Sequence, residues 1–338
     1  MIPSASSAVL RVKSPQIPTQ DPFSGGDARI FEELLDAEAA VDLARLREAS
    51  RLGVHPRYRG MVYRYLLCVT LTDKSSEMSV ERAQERDFEL LRCAAPYTQA
   101  GRLIKGTGGK PLAPYLYSSM SGAAWKRAIS AMQHRAAFSH SPESRRWLDT
   151  VLESLQAIYS DASEEAIFIL VQLVLPFKAI KSSAKDTFYC VNTIYHLLTH
   201  HGNPLQDEDC LQQHCGNFMM LFHTLNGMLY RHFFTEGITT LEWVPRLLCT
   251  LLADRLHLED LLRIWDYYLT DPGETLTFSL HPFVCLALLS NLTEDLVDCD
   301  KREILYRLEH MPRINAEAVL QKAISIREDA YTRGLLFS

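Results

Sequence analysis

From Asp27 to the end of the chain, apolar side chains recur at helical spacing, with no polar linker to divide them into two folding units. Ile30, Phe31, Leu34 and Leu35 lie on one stripe. Trp147, Leu148, Val151, Leu152, Leu155 and Tyr159 form another. A three-to-four-residue period of this kind specifies amphipathic helices packed through one face. Residues 188–198, 218–234 and 243–252 are apolar over most of their surface and are expected to be central helices. Further helices are expected over 58–71, 79–94, 259–269, 278–289, 303–310 and 316–331. Asp27 and Asn315 are placed to cap helices, and Gly53 is placed to end one. Alternating strands and the Asn-Gly hairpins that would join them are absent, so the expected fold is all-α.

The Ser- and Pro-rich residues 1–26 lack this periodicity and are expected to form a disordered leader, which leaves residues 27–338 as a single helical domain. Lys105–Pro114 and Ser139–Glu143 are expected to be loops. The formal net charge is −6, with no pronounced basic run, which argues against nucleic acid as a partner. The longest apolar run, 167–177, is too short to span a bilayer. Eight scattered cysteines suggest no disulfide framework and there is no secretory signal at Met1, so a reducing, cytoplasmic setting is expected.

Two groups of motifs narrow the fold. Gly53-Val54-His55-Pro56-Arg57-Tyr58-Arg59-Gly60-Met61-Val62-Tyr63-Arg64-Tyr65-Leu66-Leu67 resembles the opening signature of TBC (Rab-GAP) domains, with Tyr63 where that family usually has Trp. Glu236-Gly237-Ile238, Trp243 and Arg263-Ile264-Trp265-Asp266 resemble its late motif in order and spacing. The resemblance implies a multi-helix TBC fold in which Arg59, Tyr63, Trp243, Trp265 and Asp266 are structural; Asp266 is expected to cap a helix or pair with a basic residue. Leu34-Leu35, Asp42, Leu46, Asp186-Thr187-Phe188-Tyr189, Leu308-Glu309-His310-Met311-Pro312 and Lys322-Ala323-Ile324 further resemble the non-catalytic TBC subunit of the tuberous sclerosis complex. That resemblance implies a hamartin-like coiled coil as partner, a role in restraining Rheb and TOR signalling, and recruitment to the lysosome or vacuole surface through the complex.

An active TBC domain supplies an Arg from Ile-x-x-Asp-x-x-Arg-Thr and a Gln from Tyr-x-Gln-Gly to a Rab GTPase. The Arg offsets charge on the transferring phosphoryl group, worth roughly 10³ to 10⁵ in rate, and the Gln orients water. Ile129 to Ala136 keeps Ile129 and Arg135 but has Met132 for the Asp and Ala136 for the Thr. About thirty residues later, Tyr159 to Ala166 contains Glu164 and Glu165 and no Gln. Arg135 is therefore a degenerate arginine-finger candidate. A binding subunit without catalytic residues is expected, and the alternatives are an active Rab-GAP using Arg135 or a module that binds a Rab- or Rheb-type GTPase without accelerating it.

Two other constellations are weaker. Gly106-Thr107-Gly108-Gly109-Lys110-Pro111 lacks the first Gly and the final Ser or Thr of a phosphate loop. Cys210, His214, Cys215 and His223 match no closed zinc module. Neither cofactor nor metal is expected. In the segment 79–94 the first half is highly charged, and Phe88 and Leu91, flanked by Leu90, follow on one stripe. This predicts a docking face for a partner helix, with burial of the same two side chains in the core as the alternative.

Overall fold

Side-chain caps set where many of the helices begin. A computed structural model describes residues 26–94, 124–130, 141–159, 162–200, 202–270 and 277–335. Asp27 accepts from Arg29 N at 3.0 Å and opens α1 (Ala28–Leu35). Asp42 does the same for α2 (Leu43–Arg51), which ends where Gly53 adopts φ 107°. Then come α3 (Arg59–Leu66), α4 (Lys74–Ala94) and a helical segment α5 (124–130). Ser141, Ser163 and Ser183 cap α6 (Pro142–Ile158), α7 (Glu164–Ala179) and α8 (Ala184–Thr199). Asp207 and Asn226 cap α9 (Glu208–Leu225) and α10 (Gly227–Thr235). The series continues with α11 (Thr240–Cys249), α12 (Leu258–Tyr268), α13 (His281–Asn291) and α14 (Thr293–Leu296). Asp300 and Asn315 cap α15 (Lys301–Glu309) and α16 (Ala316–Thr332). Each such cap satisfies a backbone N–H that the helix itself cannot pair.

The described residues contain no strand, only an isolated antiparallel bridge between Ala40 and Asp73. The chain is all-α, as the periodicity predicts. Buried apolar residues from Phe31 to Ala330 join one continuous core. Helices α7 and α13 are apolar on nearly every face and lie inside it, with α16 packed along α13.

Several boundaries differ from the sequence expectation. The helix expected over 58–71 ends at Leu66, because Val69 N and Thr70 N both turn back to the Arg64 carbonyl and Cys68 takes φ 56°. The run 218–234 is two helices, not one. Asn226 leaves helical geometry, its Oδ1 caps Leu229 N, and its Nδ2 donates to Thr293 Oγ1 at 2.7 Å. The dipeptide Asn226-Gly227 is a turn signal that the surrounding hydrophobicity masked. Helix α6 starts at Pro142, inside the segment expected to be a loop. The loop expected over 105–114 and nearly all of the expected leader lie outside the described residues.

Helix α4 requires a correction. It begins at Lys74 rather than Ser79, and Phe88 does not form an exposed stripe: it is 4% exposed and its ring lies 5.5 Å from that of Phe188 on α8. Leu91 is half-buried against the same core, while Leu90 points outward. The charges near the start of α4 do face water in part, since the Glu81 and Glu85 side chains are 42% and 56% exposed, yet they also reach inward to partners. Glu81 is met by Arg64 of α3 at 2.6 Å and by Lys185 of α8, and Lys185 also pairs with Glu85 at 3.2 Å. Arg64 and Lys185 give these carboxylates partners on the inner side of the helix, so the inward face is ionic at one end and apolar at the other.

Candidate functional site

Two regions carry the motif residues. The first joins segments more than two hundred residues apart. The Asp266 carboxylate is fully buried on α12. Its Oδ1 accepts from Arg59 Nε at 2.9 Å and Tyr63 Oη at 2.8 Å; its Oδ2 accepts from Arg59 NH2 at 2.8 Å and Val54 N at 2.9 Å. Arg59 and Tyr63 lie one turn apart on α3, which brings both donors to the same carboxylate. Burial pushes the Asp266 carboxyl above the usual carboxylate range, and the Arg59 guanidinium pulls it back. Both oxygens already accept from donors, so the geometry accommodates the ionised form. Burial also pushes the Tyr63 phenol well up, which keeps it a donor.

Trp265 and Trp243 extend this frame. Trp265 Nε1 donates to the Leu251 carbonyl at 3.0 Å, in a turn where Leu251 and Leu252 take φ 50° and 65°. Its ring meets Phe177 edge-on, and Phe177 in turn meets Tyr63. Trp243 packs edge-on against Phe218, Phe222 and Phe233. The sequence marks all five motif residues as structural. The side chains of Arg59, Tyr63 and Asp266 meet directly, and Trp265 joins them through Phe177.

The second region is the start of α7, where the sequence spacing would put the glutamine motif. Ser163 caps the helix, and the next two residues are carboxylates engaged by arginines from other elements. Glu164 pairs with Arg127 of α5 at 2.8 Å, and Glu165 with Arg246 of α11 at 3.1 Å. The Arg246 guanidinium also lies 4.5 Å over the Phe168 ring. Tyr159 closes α6 and donates to Asn192 Oδ1 at 2.7 Å; burial pushes its phenol up to about 12. Gln172, on α7, is 2% exposed and buried in the helix packing. The Arg135 candidate lies outside the described residues. The ion pairs with Arg127 and Arg246 are absent from the sequence motifs, and no local pattern marks them, since each partner is over thirty residues away.

Cys215 is buried and His214 Nδ1 donates to the Cys210 carbonyl; among the described residues no three metal-ligating side chains cluster. No described helix is long and apolar enough to cross a membrane.

Comparison with known proteins agrees with the all-α architecture. The Rab-GTPase-TBC domain family model matches residues 133–297. The GTPase-activating protein gyp1 of Schizosaccharomyces pombe is 22% identical over 313 residues, covering 83% of this chain and 56% of gyp1, so the chain spans little more than half of that relative. The crystal structure of the YPT/RAB-GAP domain of Gyp1p superposes with a TM-score of 0.64 at 16% identity, covering 90% of this chain and 98% of that one. The Chlamydomonas flagellar RabGAP TBC domain gives 0.59 at 15% identity, covering 88% and 90%. The fold is thus that of TBC Rab-GAP domains. The match to the Rab-GTPase-TBC family model covers just under half of the chain.

Proposed function

We propose that this chain is a non-catalytic TBC-domain binding subunit, a pseudo-GAP that keeps the family scaffold without its catalytic pair. The observation that carries this proposal is the start of α7, where Glu164 and Glu165 stand in ion pairs with Arg127 and Arg246. A carboxylate facing a nucleotide phosphate repels it and cannot both donate to and accept from an attacking water as an amide does. Met132 and Ala136 support the same conclusion, since Arg135 lacks the acidic and hydroxyl neighbours of the family motif. The partner class implied by the sequence resemblance is a coiled coil of the hamartin type, which would place the chain in the tuberous sclerosis complex that restrains Rheb and TOR signalling.

One observation favours a second function, an active Rab-GAP. The family match covers Arg135, and the relative gyp1 is by name a GTPase-activating protein. Single-turnover GTP hydrolysis across a panel of Rab GTPases separates the two. Hydrolysis at the intrinsic rate, unchanged by Arg135→Ala, is expected. Acceleration that disappears in Arg135→Ala would establish the enzyme and overturn the pseudo-GAP proposal.

A further inference from the structure

A cleft of about 190 Å³ opens between α9, α11 and the start of α13. Phe218, Leu221, Leu248, Phe278 and Phe283 give it apolar walls, and Leu335 stands at its lining beyond α16. A cavity of roughly 150 Å³ with such walls admits a benzene ring in other proteins. The cleft is also lined by polar residues, of which Thr277 and Ser279 have partners of their own. Asn203 is committed through its Nδ2 to the Leu197 carbonyl at 2.7 Å, and His281 is held by Tyr268 Oη and the Leu247 carbonyl. His214 and Asn217 differ, lying one turn apart on α9. No described residue hydrogen-bonds the Asn217 amide, and none reaches His214 Nε2.

The state of that nitrogen follows from its ring partner. His214 Nδ1 lies 2.8 Å from the Cys210 carbonyl, which can only accept, so Nδ1 carries the hydrogen. In the neutral ring Nε2 is then an acceptor. The cleft therefore combines apolar walls with an acceptor and an amide on one side, the usual composition of a small-ligand site. We propose that it binds a small planar aromatic molecule, about the size of indole, that bears one N–H or O–H donor on its rim. The donor is received by His214 Nε2, and the ring packs between Phe218 and Phe283.

Indole and benzothiophene test this on the full chain, since the two are nearly isosteric and only indole has the donor. Calorimetric titration or saturation-transfer NMR is expected to show saturable indole binding. Benzothiophene should bind about ten-fold more weakly, the usual size of one hydrogen bond. His214→Leu should lower indole to the benzothiophene level, and Leu335→Trp, which fills the cleft from its rim, should abolish binding of both. The proposal is overturned by absence of saturable binding, by equal affinity for the two probes, or by binding that survives Leu335→Trp. Binding that appears only after deletion of residues 336–338 would also overturn it for the intact chain.

Discussion

The Asp266 clamp and the start of α7 both rest on carboxylates met by arginines, yet the two belong to different regimes. At the clamp, Asp266 is fully buried, Arg59 is 7% exposed, and every oxygen lone pair in use points at a donor fixed by α3 or by the Val54 backbone. At α7 the Arg127 and Glu164 side chains are 60% and 64% exposed, and Arg246 and Glu165 are 45% and 44% exposed. Water competes for the second pair of contacts and not for the first. In this chain the polar residues that join α3 to α12 are sequestered, while the start of α7 is held by weak, solvent-facing pairs.

The widest contrast comes from removing one carboxylate from each region. Asp266→Ala leaves Arg59 buried without a counter-charge and Tyr63 without its closer acceptor, and should cost about 3–5 kcal/mol in urea denaturation. A loss below about 1 kcal/mol would mean that the clamp is not what fixes α3 to α12. A second test uses pH and a buried group without a counter-ion. Burial holds the His281 imidazole down to about 4, with Nε2 donating to Leu247 and Nδ1 facing Tyr268 Oη. Between pH about 6.5 and about 4 the unfolded chain takes up a proton that the folded chain refuses, so stability falls on acidification across that window, by up to about 3 kcal/mol. Denaturation midpoints of the native chain and His281→Phe, followed from pH 7 to 4.5, should show the steeper decline in the native chain. The smallest effect is expected at the edge: Glu165→Ala should change stability by less than about 1 kcal/mol, and high salt should mask it. A larger loss would erase the distinction between the two regions.

The helical architecture was legible because periodicity reports which face of each helix is buried, and caps such as Asp27 and Asn315 stand where the sequence puts them. The clamp was legible only as separate residues. Arg59, Tyr63 and Asp266 belong to recognisable motifs, but nothing local says that one carboxylate serves both α3 side chains. The sequence leaves Phe88 open between a docking face and the core for a physical reason. A run of charges ordinarily marks a solvated face, and the neutralising Arg64 and Lys185 come from other helices, out of reach of any local pattern. The break at Asn226 was hidden differently: the Asn226-Gly227 turn signal lies inside an apolar run, and Thr293, which the Asn226 amide meets, is sixty-seven residues further on.

The separation of the clamp residues has a consequence for how the chain is made. Arg59 and Asp266 are 207 positions apart. At about 5–20 residues per second, a ribosome takes on the order of ten to forty seconds to cover that distance. During that interval α3 has emerged while its carboxylate has not been synthesised. Arg59 has no counter-ion to bury and so favours water, and α3 cannot settle into its final seat. The closing contact is also among the most non-local in the fold, so loop entropy delays it further. A nascent chain stalled before Asp266 should leave the Arg59 region accessible to protease, and one released beyond it should protect that region.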